Sequence, residues 1–375
     1  MTRLLLSTIV LLDDQPMANG FTQRYDEVER AMATITEVHR LTCGPIGSGA
    51  DIELPPQVFD LGRRGRLLRV RAALGLGGPF HHARRTIAAA TAGSDAVALF
   101  SYRHPEFAGA TAKFRPTWMF VEERPRAMGA EALPSRRARV LATVERSAIR
   151  SLLGPVRAVV VIHRGEAAAA ARRWKTAVAV VPHAIDRSAV ATTTPLEATI
   201  PGGVVVVGNL AERRNAEGLH ALLGALVEVD PTCSLHVTAI SATGVDRAIS
   251  ETFSERLSVV GPVEDLRPFY DAARLVCVPA AVAWGVKTTI LQGWAAKRPV
   301  VTTVACAATV DAEDGDGLVA VQSARQLAEA LMELNHDLSR CASLVERGCA
   351  ILEQRHSDSA VASAVGELLR GHGGR

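Results

Sequence analysis

Apolar runs of strand length alternate with stretches of helical periodicity along most of this chain. Leu4–Leu12 is the first apolar run, and Tyr25–Ile35 repeats Val28, Met32 and Ile35 at helical spacing. Glu37–Cys43 predicts a second strand and Val58–Leu61 a short extended piece. Arg63–Leu76 and His81–Ala92 predict helices parted by the breaker Gly77-Gly78-Pro79. Ala96–Ser101, Thr117–Val121, Val156–Ile162 and Ala177–Val181 read as strands, and Pro134–Leu153 as a long helix. Thr192–Gly203, rich in Thr, Pro and Gly, interrupts the series and reads as a linker. A second series follows, with strands at Val204–Val207, Ser234–Ile240, Leu257–Val260, Leu275–Val278 and Leu318–Val321. Helices are predicted between them at Ala216–Val229, Gly244–Phe253 and Val263–Ala273, then at Ser323–Asn335 and over most of Leu338–Leu369. Alternation of this kind predicts an α/β protein with parallel sheets covered by helices on both faces. The expected domains are residues 1–191, a linker at 192–203, residues 204–350, and a terminal helix at 351–375 that crosses back to the first domain.

Composition agrees with Val-rich buried strands. Apolar residues make up 48% of the 375 positions and aromatics only 4%. A net charge of +3 gives no case for a nucleic-acid-binding protein. The basic runs Arg63–Arg71 and Arg136–Arg139 read as solvated helix faces, and contact of the first with an anionic membrane surface stays open. The six cysteines lack CxxC spacing, so neither a zinc site nor a disulfide framework is indicated. The apolar N-terminus is followed by Asp13-Asp14 and reads as a strand rather than a signal sequence. No run is long enough to span a membrane, and a cytoplasmic protein, with peripheral attachment at the inner membrane face left open, is expected.

One stretch carries candidate chemistry. In Val278–Thr302 a strand ends at Pro279, a loop runs through Trp284, Gly285, Val286 and Lys287, and a helix begins at Thr288 and Thr289. The unpaired N–H groups and dipole of a helix start favour an anion, with Lys287 and the two hydroxyls beside it. An ordinary strand–helix unit with a surface lysine is the alternative at this point.

Five segments resemble, in order, the C-terminal half of the retaining GT-B glycosyltransferases of group 1, the glycogen synthase and mannosyltransferase-like superfamily. They are VVPHAID (Val180–Asp186), VVVVGNLAERRN (Val204–Asn215), LSVVGPVEDLRPFYDAARLVCVP (Leu257–Pro279), GVKTTILQGWAAKRPVV (Gly285–Val301) and the terminal helices. The resemblance implies two Rossmann-like domains whose parallel sheets face a central cleft. It implies transfer of a sugar from a nucleotide-sugar donor to an acceptor with retention of configuration, in glycan, glycolipid or natural-product biosynthesis. No cofactor and no metal are expected, since the nucleotide-sugar is itself a substrate, and the acidic stretch Asp311–Gly317 reads as a turn. Carried over onto this chain, the donor site comprises Gly20, Asn209, Arg213 or Arg214, Gly285, Val286, Lys287, Thr288 and Thr289. Where the family has two glutamates eight positions apart, this chain has Trp284 and Gln292. The first would wall the sugar pocket and the second would meet the donor ribose without charge. His104, Glu122 and Glu123 follow strands of the first domain and are candidates to take the acceptor proton or orient a sugar hydroxyl. A homologue that has lost turnover and only binds sugar nucleotides, or serves as a scaffold, is the alternative.

Overall fold

The computed structural model describes residues 5–11, 20–45, 50–54, 79–100, 107–108, 111–120, 147, 155–210, 212–241, 244–283 and 285–370. The helix expected at 63–76, nearly all of that at 134–153 and the extended piece at 58–61 lie outside the described residues, as do both basic runs. Contacts divide the chain into two units, one formed by Met1–His183 with Val361–Arg375 and the other by Ala184–Ala360.

The first unit runs β1 (Leu5–Leu11), α1 (Gly20–Ile35), β2 (Glu37–Pro45), β3 (Ile52–Leu54), α2 (Pro79–Ala90), β4 (Ala96–Phe100), β5 (Thr117–Phe120), β6 (Ala158–Val161), α3 (Arg164–Trp174) and β7 (Val178–Val180). These strands form one sheet in the order β3-β2-β1-β4-β5-β6-β7, and every described pairing is parallel. Every residue of β4, β5 and β6 is buried, so these strands are continuous apolar runs rather than alternating ones. That is the signature of a parallel sheet covered on both faces. Helix α3 has no counterpart among the predicted elements. Its inward positions include Ala167 and Ala170, and only Trp174 supplies bulk to the core. Such a helix has little hydrophobic contrast to detect.

The second unit runs β8 (Ile200–Val207), α4 (Arg213–Val229), β9 (His236–Ile240), α5 (Arg247–Thr252), β10 (Leu257–Val260), α6 (Arg267–Ala272), β11 (Ala273–Val278), α7 (Thr288–Ala295), β12 (Val300–Thr303), α8 (Val304–Ala307), β13 (Leu318–Val321), α9 (Ala324–His336) and α10 (Leu338–His356). A last helix, α11 (Asp358–Arg370), follows, and from Val361 onward its residues belong to the first unit. The sheet order is β10-β9-β8-β11-β12-β13, again parallel throughout. Helix α4 buries Leu219, Leu222, Leu223 and Leu226, one apolar stripe at i, i+3, i+4 and i+7. Helix α9 starts at a capping box made by Ser323 and Gln326.

Residues 192–203, read from the sequence as a linker, are tied closely to the second unit. The Asp271 carboxylate accepts from the amides of Thr193 and Thr194, both at 2.9 Å. The Thr192 hydroxyl donates to Ala296 O at 2.7 Å, and Gly202 N donates to Asn335 Oδ1 at 2.7 Å. Arg298, only 1% exposed, donates to the carbonyls of Tyr270 (2.8 Å) and Thr194 (2.9 Å). A buried guanidinium thus fastens this segment to α6 and to the start of β12, which satisfies its donors where water cannot.

Candidate functional site

In the second sheet the chain runs outward from β8 through β9 to β10, then returns to β11 on the other side of β8. β8 and β11 therefore flank the point where strand order reverses. Ligands of open parallel sheets bind in the crevice beyond the carboxyl ends of the strands at that point. The loop 208–212 leaves β8 there, and the loop 279–287 leaves β11 there.

Both loops end in helix starts that lack a side-chain cap. Glu212 precedes α4 and Lys287 precedes α7, and neither side chain accepts from its helix's first amides. A lysine has no acceptor atom to offer, so the first turn of α7 keeps its outward N–H groups and adds a cation to them. The Lys287 backbone is held by its own amide, which donates to the Thr309 hydroxyl at 3.0 Å. Gly285, buried in this loop, has φ 64°, the left-handed region that a side chain disfavours.

The two loops are joined across the switch point. Lys287 Nζ donates to Asn215 Oδ1 at 3.3 Å, and Asn215 Nδ2 donates to Asn209 O at 2.9 Å. Thr289, buried, donates its hydroxyl to Val207 O at 3.2 Å, pinning the first turn of α7 to the end of β8. Gly218 makes this closeness feasible. A Cβ there would stand 2.5 Å from Pro279 O, so α4 lies against the β11 loop only because the residue is glycine.

The expected donor residues do not all share one direction. Arg213 and Asn215 are two positions apart on a helix and so point to nearly opposite sides. The Arg213 side chain is 89% exposed, pairs with Glu217 at 2.7 Å and borders a groove of about 610 Å³ on the α5 side of α4. Arg214 lies between these directions, 18% exposed, with its guanidinium 3.0 Å from Glu212 Oε2. Thr288 and Val286 flank Lys287 and are half-buried. Gln292 sits one turn into α7, and its Oε1 accepts from the Tyr270 hydroxyl at 3.1 Å. Tyr270 is fully buried, and burial raises its pKa well above the usual phenol range, so it remains an O–H donor. Its role was not legible in the sequence, where it reads as one apolar position of a short helix.

Trp284, His104, Glu122 and Glu123 lie outside the described residues. Gly20 opens α1, after β1 in the first unit. His183 is buried at the end of that unit. The acidic stretch Asp311–Gly317 forms a turn in which Asp314 accepts from Ala320 N at 2.9 Å and Asp316 from Glu313 N at 3.1 Å. Among the described residues no group of three or more His, Cys, Asp or Glu side chains is arranged to hold a metal. The cysteines are free, and burial pushes the Cys43 thiol up to about 12.

Residues 201–337, which lie within the second unit, match the family model described as "Glycosyl transferases group 1". With two parallel-sheet α/β units, the chain has the GT-B architecture that the sequence resemblance implied. Among solved structures it is similar to sucrose-phosphate synthase from Thermosynechococcus elongatus, with 14% identity, 98% of this chain and 99% of that one covered, and a TM-score of 0.71. It is also similar to HepE from Anabaena, solved with UDP and glucose, at 14% identity, 98% and 99% coverage and a TM-score of 0.68. Trehalose 6-phosphate synthase from Burkholderia multivorans matches at 14% identity, 99% and 97% coverage and a TM-score of 0.67. At such identity these likenesses speak for the fold. Among curated proteins none matches the chain by sequence. Among the described residues no helix is long and apolar enough to cross a membrane.

Proposed function

We propose that this protein transfers a sugar from a nucleotide-sugar donor to an acceptor, with retention of configuration and without a bound metal. The observation that carries the reading is the Lys287–Asn215 contact, which holds a cation at the uncapped start of α7 beside the β8/β11 reversal. As the glycosidic bond of the donor breaks, the leaving diphosphate gains negative charge. Amides of the first turn of α7, the Lys287 ammonium and the Arg214 guanidinium supply fixed positive potential for it. Of the adjacent arginines, Arg214 is the better candidate, because Arg213 is directed to the other side of α4. Thr289 has a positioning role, since its hydroxyl is engaged by Val207 O.

Gln292 is assigned to the donor ribose. With Oε1 taken by Tyr270, the amide offers its N–H groups, so it donates where a glutamate would accept. His104, Glu122 and Glu123 are assigned to the acceptor side, one of them taking the proton of the attacking hydroxyl. HepE, solved with UDP and with UDP-glucose, supports a uridine nucleotide as the first donor to try. The setting assigned is cytoplasmic synthesis of a glycan, glycolipid or glycosylated natural product.

A second reading has a specific observation behind it. Gln292 leaves the position assigned to the ribose uncharged, which suits a protein that binds sugar nucleotides without turning them over. Calorimetry with a panel of nucleotide-sugars, followed by donor hydrolysis with and without acceptor, separates the two. Binding with hydrolysis supports the transferase. Binding without any turnover supports the second reading, and absence of binding removes both.

A further inference from the structure

Helix α3 starts at the carboxyl edge of the first sheet, parted from β6 only by Ile162 and His163. His163 is its N-cap, in extended backbone, and the side chain does not accept from the first amides of the helix. The residue is only 8% exposed. Its Nε2 lies 3.4 Å from Glu166 Oε1, one turn on, while Nδ1 is buried with no hydrogen-bond partner. A ring nitrogen left in this way is unfavourable, because burial removes its water and no protein group replaces it.

Gly165 shapes the space beside that nitrogen. The residue is exposed, and a Cβ built on it would stand 3.1 Å from His163 Nδ1 and 3.2 Å from Cε1. No other atom from outside the start of α3 lies within 4 Å of that point. The imidazole therefore walls a notch that opens to solvent, and a side chain at 165 would fill it. The amides of Arg164 and Gly165 lie in the first turn, where no carbonyl of the helix reaches them. The helix dipole adds positive potential there, and a glycine lets an anion approach the backbone closely. The acidic residue of this turn, Glu166, is turned to the other ring nitrogen. Facing that carboxylate, Nε2 carries a hydrogen. Nδ1 then accepts from a ligand when the ring is neutral and donates to it when the ring is charged. A phosphate suits both cases, since it brings oxygens for the amides and, near neutral pH, an acidic P–OH. A sugar hydroxyl alone would satisfy Nδ1 and leave the amides unused.

We propose that the start of α3 binds a phosphate group, held by His163 Nδ1 and the first-turn amides over Gly165. This is a site of the first unit, apart from the donor loop of the second. Free phosphate and a phosphomonoester on an acceptor sugar present the same end group to it, and only the second source rests on the transferase reading.

Calorimetric titration of the full chain with inorganic phosphate, glucose 6-phosphate and glucose tests the site. Both phosphates are expected to bind, and glucose is not. Tighter binding of the phosphorylated sugar than of inorganic phosphate marks the acceptor as the source, and equal affinity marks the free ion. Gly165→Ala keeps the helix, because alanine is the better helix former, while its methyl closes the notch. His163→Asn keeps an N-cap, whose own side chain takes the first amides. Each is expected to weaken phosphate binding about tenfold, the scale of one charge-assisted hydrogen bond, with a melting temperature no lower than that of the wild type. Lys287→Ala is expected to retain phosphate binding, which separates this site from the donor loop. Absence of phosphate binding, equal binding of glucose, or wild-type affinity in both Gly165→Ala and His163→Asn would overturn the proposal. So would loss of phosphate binding in Lys287→Ala.

Discussion

The Lys287 ammonium stands 3.3 Å from Asn215 Oδ1, joining the helix start that follows β11 to the helix that follows β8. The two residues are 72 positions apart in sequence. They meet because β8 and β11 are neighbours in the sheet. The amide oxygen accepts from the ammonium and orients it toward the end of β8.

Lys287→Ala is expected to lower kcat/KM for the donor by about 10²–10³, the usual scale for loss of a charge-stabilising group. Asn215→Ala should act more mildly, raising donor KM more than it lowers kcat. Steady-state kinetics with the donor found by calorimetry checks both, and wild-type values for Lys287→Ala remove this site from the chemistry.

The adjacent arginines are expected to differ. Arg213→Ala removes an exposed side chain paired with Glu217 and should leave turnover within about twofold, as surface ion pairs contribute little. Arg214→Ala should reduce donor binding about tenfold or more, on the scale of a lost charge-assisted hydrogen bond. Parallel titrations of the two variants decide the matter, and the reverse ranking would refute the assignment of the diphosphate to Arg214.

Gly218→Ala places a methyl group 2.5 Å from Pro279 O, where backbone rather than a pliable side chain must yield. A loss of about 1–3 kcal/mol is expected from such overpacking. Because α4 must move off the β11 loop, donor affinity should fall as well. Chemical denaturation measures the first effect and calorimetry the second, and unaltered affinity would uncouple Gly218 from the site.

Gln292→Glu gives the Tyr270 hydroxyl a carboxylate to donate to and restores an anionic acceptor toward the ribose. Donor affinity is expected to rise about tenfold, the difference between neutral and charge-assisted hydrogen bonds. Tyr270→Phe frees the Gln292 amide to rotate and should raise donor KM while kcat changes little. An unchanged dissociation constant in both variants would place the ribose elsewhere.

Acid should release a buried ion pair in the second unit. Asp230 is fully buried. Burial alone would raise its pKa, but the amides of Leu235 and Ser234, the Ser234 hydroxyl and Arg256 bring it down from 3.8 to about 2. A carboxyl depressed on folding adds stability above its unfolded value and loses it as pH falls. Here on the order of 2 kcal/mol is present above about pH 4 and disappears toward pH 2. Denaturation curves across this range should show that loss in the wild type and a flatter profile in Asp230→Asn.

The alternation of strands and helices was legible because a strand in a parallel sheet is buried on both faces and so becomes a continuous apolar run. Val204–Val207 and Leu275–Val278 show this plainly. Helix α3 escaped notice because its inward residues are mostly alanine. The stretch at 192–203 looked like a linker because Thr, Pro and Gly carry no periodicity. Its attachment rests on Asp271 and Arg298, far along the chain.

By itself the sequence determined the class of fold and the order of most elements, consequences of local pattern, and it singled out the loop before α7 for its residues. Only the tertiary structure decided which side chains lie together. It separated Arg213 from Arg214 by their angle around α4, joined Lys287 to Asn215 across two neighbouring strands, and set Tyr270 against Gln292. The physical reason is common to the last two. Strand order and helix packing fix distances between residues remote in sequence, and no local pattern of polarity encodes those distances.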